Sequence, residues 1–313
     1  MNRLTCLIAV PCVVSVLFAG TAQAGTVEVI KTQGIRHVLD ISRADRRAFS
    51  LPTDVAVDHG RIYIVDSGNN RVSVFDKAGK HLFSFGNEGD ADGYFRNPVG
   101  IDVDRRGRIY VADRGNHRVQ VFSSQGRFIS AINMKSGGDP VEPVDVAANG
   151  RKGRLYVSGS NNHRIMEYSL NGRLRRTWGG NGARPGNFRY PATIAMLPDN
   201  RIAVVDVINT RVQVFEANGK FVVEVGEWGV LPGQLFRPKG VAVDERGRFY
   251  VSDSYLNVIQ VFSETGQFHA VFGRKGRPKR FEAPVGIAVD EDYRFYAVEM
   301  LANRVSVYQI VNY

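Results

Sequence analysis

One motif constrains this chain more than any other. A proline opening a short apolar strand returns at Pro52, Pro98, Pro143, Pro191, Pro238 and Pro284, at spacings of 46, 45, 48, 47 and 46 residues. A fixed period of this size marks a propeller or solenoid, in which each repeat is one supersecondary unit that buries its apolar face against its neighbours. Within a repeat the apolar residues alternate with period two, as in half-buried strands. The second repeat reads as strand 99–103, turn 104–107, strand 108–112, turn 113–117, strand 118–122, turn 124–126 and a fourth strand near 127–129. Such short strands, with a turn every 8–12 residues or so and no useful helical periodicity, predict an all-β fold. Six repeats of four strands predict a six-bladed β-propeller.

The ends complete the count. The sixth repeat supplies three strands and then stops at Tyr313. Residues 34–39 resemble the fourth strand of the first repeat at 79–83, so the N-terminal segment is expected to be the outer strand of the last blade and to close the ring. The expected organisation is a leader at 1–24 and one propeller at 25–313, with repeats from about 51 to 310.

The leader is read from Arg3, the apolar run from Leu4 to Ala19 and the A-x-A cleavage site Ala22-Gln23-Ala24. The run is short for a membrane span and is interrupted by Pro11. Thr21 stands where a lipidated cysteine would be. These features predict an exported protein without a membrane span, periplasmic or extracellular. Both cysteines, Cys6 and Cys12, lie in the leader, so the mature chain has no disulfide, thiolate metal site or cysteine nucleophile. The formal charge of +10 suits an anionic partner or simply a soluble basic protein.

The residues resemble the NHL repeat family of β-propellers. The resemblance is carried by the strand-opening proline followed by an apolar strand and Asp (98–104 and 238–244), by Tyr110-Val111-Ala112-Asp113, by Asn116-His117-Arg118-Val119-Gln120-Val121-Phe122, and by the glycine-spaced connector 179–188. It covers about 51–310 and implies the fold, while function has to be argued from sites. The turn carboxylate (Asp66, Asp113, Asp206, Asp253) becomes Gly159 in the third repeat and Glu299 in the sixth. With the arginine five residues on (Arg71, Arg118, Arg211) it reads as a clasp that holds each blade.

Candidate binding residues are those that stand apart from these structural repeats. His117 and His163 share one turn position, filled elsewhere by Asn70, Thr210, Asn257 and Asn303. The start of each first strand is expected to line the central channel, where Asp54, Asp145 and Thr193 depart from the commoner glycine. A related amidating lyase holds its metal with channel histidines, and propeller lactonases use a Glu, Asn and Asp set around a divalent cation. This channel has no histidine, and two carboxylates are few for an oxygen-ligand site. No cofactor is expected. The connector into the last blade is strongly basic: Arg274, Lys275, Arg277, Lys279 and Arg280. Arg43, Arg46 and Arg47 of the first connector are expected beside it, and Glu88, Asp90 and Asp92 make the second connector acidic.

These features favour a monomeric binding scaffold that takes a protein, glycan or anionic polymer on its connector face. One alternative is a metal-assisted lyase or lactonase-like enzyme around Asp54 and Asp145. A second is an RNA-binding propeller, against which stand the predicted export and the lack of a stacking set of aromatics.

Overall fold

A computed structural model describes residues 30–150 and 152–311, so the leader lies outside the described residues. Six four-stranded antiparallel sheets follow one another as blades. The four strands of a blade are named a to d from the axis outward. Blade one comprises Pro52–Asp58, Arg61–Asp66, Arg71–Asp76 and His81–Phe85. Blade two comprises Pro98–Val103, Ile109–Asp113, Arg118–Phe122 and Phe128–Asn133. Strands a of blades three to six are Pro143–Asn149, Pro191–Met196, Pro238–Val243 and Pro284–Val289. Each opens on the proline of the repeat, where no amide is needed for the ladder.

Blade six takes its outer strand from the N-terminal segment. Ile35–Ile41 pairs antiparallel with Arg304–Ile310, with Ile35 opposite Ile310 and Ile41 opposite Val305. Just before it, Thr32–Gln33 lies parallel to the outer strand of blade five at Val271 and Phe272, an addition the repeat pattern did not signal.

Apolar packing is divided among six wedges, one at each seam between blades. The wedge between blades one and two joins Tyr63, Val65, Val72 and Val74 to Phe95, Ile109, Val111 and Phe122, all buried. The closing wedge joins Ile41, Phe49, Ile62 and Phe75 to Tyr296, Val298, Val305 and Val307. Strands b and c are buried on both faces, so each contributes to two wedges. No helix of the described residues is long and apolar enough to cross a membrane.

The b–c turns fall on the same rim as the connectors, because both sit at the start of strand a. Their last residue adopts a left-handed conformation in every blade: Asn70, His117, His163, Thr210, Asn257 and Asn303 all have φ between 51° and 57°. Asparagine tolerates this region best among residues with a side chain, and histidine is also enriched there. Backbone conformation therefore accounts for the asparagines and histidines at that position.

Candidate functional site

Each b–c turn carboxylate is buried and fully engaged. Asp113 accepts the Arg96 amide at 2.8 Å with Oδ1 and the side chains of Asn116, Arg118 and Gln120 at 2.8, 2.8 and 3.0 Å with Oδ2. Asp206 repeats the pattern with Arg189, Asn209, Arg211 and Gln213. Glu299 accepts the Glu282 amide, Arg304 and Ser306. In blade three, where Gly159 stands, Glu142 of the connector pairs instead with Arg114 of blade two at 2.7 Å. That bond holds the Glu142 carboxyl below its usual range.

The residue at the left-handed position clasps the next blade. Asn70 Oδ1 accepts the Asn97 amide at 2.8 Å, Asn303 Oδ1 accepts that of Leu51 at 2.7 Å, and His163 Nδ1 accepts that of Tyr190 at 3.2 Å. His117 differs: its Nδ1 is buried without a partner among the described residues. The two histidines thus belong to turns of adjacent blades, and His163 is occupied by a backbone amide.

The central channel forms a cavity of about 650 Å³, lined from the third residue of strand a onward and by Arg105, Asn149, Asn200 and Glu245 of the a–b turns. It opens at the a–b end, away from the connectors. Asp54 and Asp145, expected at a mouth, are buried at its inner end. Asp54 Oδ2 accepts the Ile101 amide of blade two at 3.0 Å, and Asp145 Oδ2 accepts the Ile194 amide of blade four at 2.8 Å. Thr193 Oγ1 donates to the Lys239 carbonyl of blade five at 2.8 Å. Two further residues do the same at two of the remaining inner seams. Asp102 Oδ2 accepts the Ala148 amide at 2.7 Å, and Ser252 Oγ donates to the Val285 carbonyl at 2.7 Å. Four side chains that break the repeat on strand a, together with Ser252 of strand b, therefore stitch blade one to two, two to three, three to four, four to five and five to six.

The first-strand glycines fit around these stitches. A Cβ on Gly286 would lie 2.2 Å from Asp54 Oδ1, and one on Gly100 would lie 2.4 Å from Asp145 Oδ1. Each aspartate thus needs a glycine at the same repeat position in the preceding blade.

Burial pushes the Asp54 carboxyl up to about 7, against its bonds to the Ile101 and Val55 amides. Burial likewise takes Asp102 to about 7, with the charges of Asp58 and Asp104 acting in the same direction. Asp145 is raised well above the usual range by burial and then by the Asp54 charge. Two buried carboxylate charges oppose each other here, so the pair holds a proton near neutral pH. A divalent ion needs several free, ionised oxygens. Each of these carboxyls gives one oxygen to a backbone amide of the neighbouring blade and is partly protonated, and no three His, Cys, Asp or Glu side chains among the described residues gather as a metal-binding group. The channel does not fit the lyase or lactonase metal.

The basic connector forms a different site. Strand d of blade five, Phe268–Arg274, continues through a turn at Lys275 and Gly276 into Arg277–Pro278. Between this hairpin and the outer strand of blade six lies a cleft of about 930 Å³ lined by Arg274, Lys275, Arg277, Lys279, Ile35, His37 and Tyr308. No carboxylate is among these lining residues. Lys279 reaches over the Phe281 ring at 5.6 Å. Arg280 stands apart from the cleft, its guanidinium donating to the Leu256 carbonyl. Arg43–Ala44 and Arg47–Ala48 make a separate hairpin bound to blade one, where Arg71 donates to the Arg47 carbonyl and His81 pairs with Asp45. Sequence reading missed His37 and Tyr308 in the cleft, because the outer strand of blade six is distant in the chain.

The NHL repeat family model matches residues 49–75 and 95–122. No curated protein sequence matches the chain. Among solved structures, a streptogramin B lyase is similar at 14% identity and a TM-score of 0.65, over 87% of this chain and 97% of that one. A catalytically inactive virginiamycin B lyase from Staphylococcus aureus with quinupristin is similar at 16% identity and a TM-score of 0.62, over 88% of each chain. A gluconolactonase from Xanthomonas campestris is similar at 14% identity and a TM-score of 0.65, over 84% of this chain and 86% of that one. At such identities the likeness is one of fold. Repeat motif, blade geometry and comparisons agree that this chain is a six-bladed β-propeller, with NHL repeats matched in its first two blades.

Proposed function

We propose that this propeller is a binding scaffold that captures an anionic partner at the seam of blades five and six. The observation that carries the reading is the cleft in which Arg274, Lys275, Arg277 and Lys279 converge without a carboxylate. Cations gathered at one seam steer an anionic partner and orient it, more so because the connector into blade two carries exposed Glu88, Asp90 and Asp92. The reading includes export, on the strength of the leader-like residues 3–24.

Heparin-agarose provides the test. The variant R274A/K275A/R277A/K279A is expected to elute at clearly lower salt than the parent chain, with an unchanged thermal midpoint. Exposed charges contribute little to stability but strongly to salt-dependent capture. Equal elution of the two proteins would refute the reading.

A further inference from the structure

The b–c turns carry a second pattern. Two residues after the turn carboxylate position, blades one to three have Gly68, Gly115 and Asn161, whereas blades four to six have Ile208, Tyr255 and Leu301. In blades one and two the position is closed to any side chain. A Cβ on Gly68 would lie 2.4 Å from Ser50 Oγ, and one on Gly115 would lie 2.6 Å from the Arg96 carbonyl oxygen. In blades four to six the side chains stand out into solvent, with Ile208 61%, Tyr255 57% and Leu301 67% exposed. They add nothing to the wedges. The connector from blade four to blade five adds Trp228, 71% exposed, with Val230 and Leu231 also exposed. Tyr255 is held against Phe236 with ring centroids 4.3 Å apart. Exposed apolar side chains in this number on one rim mark a contact surface.

The basic connector runs through this surface. The Phe281 amide donates to the Asn257 carbonyl beside the Tyr255 turn at 2.9 Å, and the Met300 amide beside Leu301 donates to the Ala283 carbonyl at 3.4 Å. Arg280 is pinned to Leu256, the neighbour of Tyr255. The connector that presents Arg274, Lys275, Arg277 and Lys279 is thus threaded between two of the three apolar turns.

We propose that blades four to six form one docking face for an acidic protein segment with apolar anchors. Ile208, Tyr255, Leu301 and Trp228 contact the anchors, and the connector bases pair with the carboxylates. Charge complementarity selects this occupant. An anionic membrane laid on the same rim would also meet Glu88, Asp90 and Asp92, whereas a segment confined to blades four to six avoids them. The proposal rests on the binding-scaffold reading and names its partner chemistry.

The test uses the full chain and two labelled synthetic peptides of equal length, one alternating glutamate with leucine and one of glutamate and glycine. The variant I208N/Y255N/L301N installs the residue that blade three has at this position. It is expected to bind the glutamate–leucine peptide about tenfold more weakly than the parent, with its thermal midpoint unchanged. Parent binding is also expected to shift Trp228 emission to the blue, and Trp228→Ser alone should weaken binding severalfold, which covers a triple variant that fails to fold. Equal affinity of parent and variants for the glutamate–leucine peptide overturns the proposal. If both peptides then still bind in a salt-dependent way, the basic scaffold stands and only the apolar face is refuted. If phosphatidylglycerol vesicles bind and neither peptide does, the face is a lipid surface and the proposal is likewise overturned.

Discussion

Thr210 is the one β-branched residue among the six left-handed turn positions, at φ 56°. A β-branched side chain is strained there, by about 1–2 kcal/mol in the left-handed region. The amide that an asparagine would clasp, that of Arg237, already donates to Asp253. Thr210→Asn is therefore expected to stabilise the protein by about 1 kcal/mol through relief of backbone strain alone, read as a raised midpoint in thermal unfolding. The channel pair gives a second expectation. An unfolded aspartate ionises near pH ~4, whereas Asp54 retains its proton to about 7. Between those values the folded chain binds more protons than the unfolded one. The stability the pair contributes is full below the lower value and is lost as pH rises through the upper one. Asp145→Asn keeps the bond to Ile194 and removes one charge. The midpoint of the parent minus that of this variant is expected to fall between about pH 4 and pH 8, and a difference that stays constant would contradict it. Asp54, Asp145 and Thr193 were legible in the sequence as departures from the repeat, but their work was not, because a hydrogen bond to a neighbouring blade leaves no mark in its own strand. Asp102 was legible too: it replaces an alanine found at Ala56, Ala147, Ala195, Ala242 and Ala288. A lone aspartate on a half-buried strand reads equally as a solvated side chain, so its bond across the seam carries no signal of its own.

At the scale of elements, alternation and turn chemistry disclosed the strands, and the resemblance of residues 34–39 to 79–83 disclosed the outer strand of blade six. The parallel pairing of Thr32–Gln33 was invisible, since two residues carry no period. The closing strand owes its hold to Ile41, buried in the wedge with Val305 and Phe49. Ile41→Ala is expected to cost about 2–4 kcal/mol. Hydrogen–deuterium exchange should localise the damage: amides of Arg304–Ile310 should exchange faster, and those of blades two to four should be unaffected.

For the whole molecule, the repeat fixes the ring, and deviations from it divide into two kinds. Those along the axis serve cohesion through hydrogen bonds to the neighbouring blade. Those on the connector rim, at Ile208, Tyr255 and Leu301 and from Arg274 to Lys279, add nothing to the wedges, and function is argued from them. Their convergence on blades four to six could not be read from spacing, because it depends on which connector passes which turn. The closing seam has a further consequence for how the chain is made. Gln33 Nε2 donates to the Val311 carbonyl, 278 residues away in sequence. Blades one to five can each complete their four strands as they leave the ribosome. The strand at 35–41 emerges before all of them and must wait, edge unpaired, until 304–310 is synthesised, a delay on the order of tens of seconds at about 5–20 residues per second. The first strand of the last blade to be made is thus the last to find its place, and a chain cut short near its end leaves its beginning without a partner.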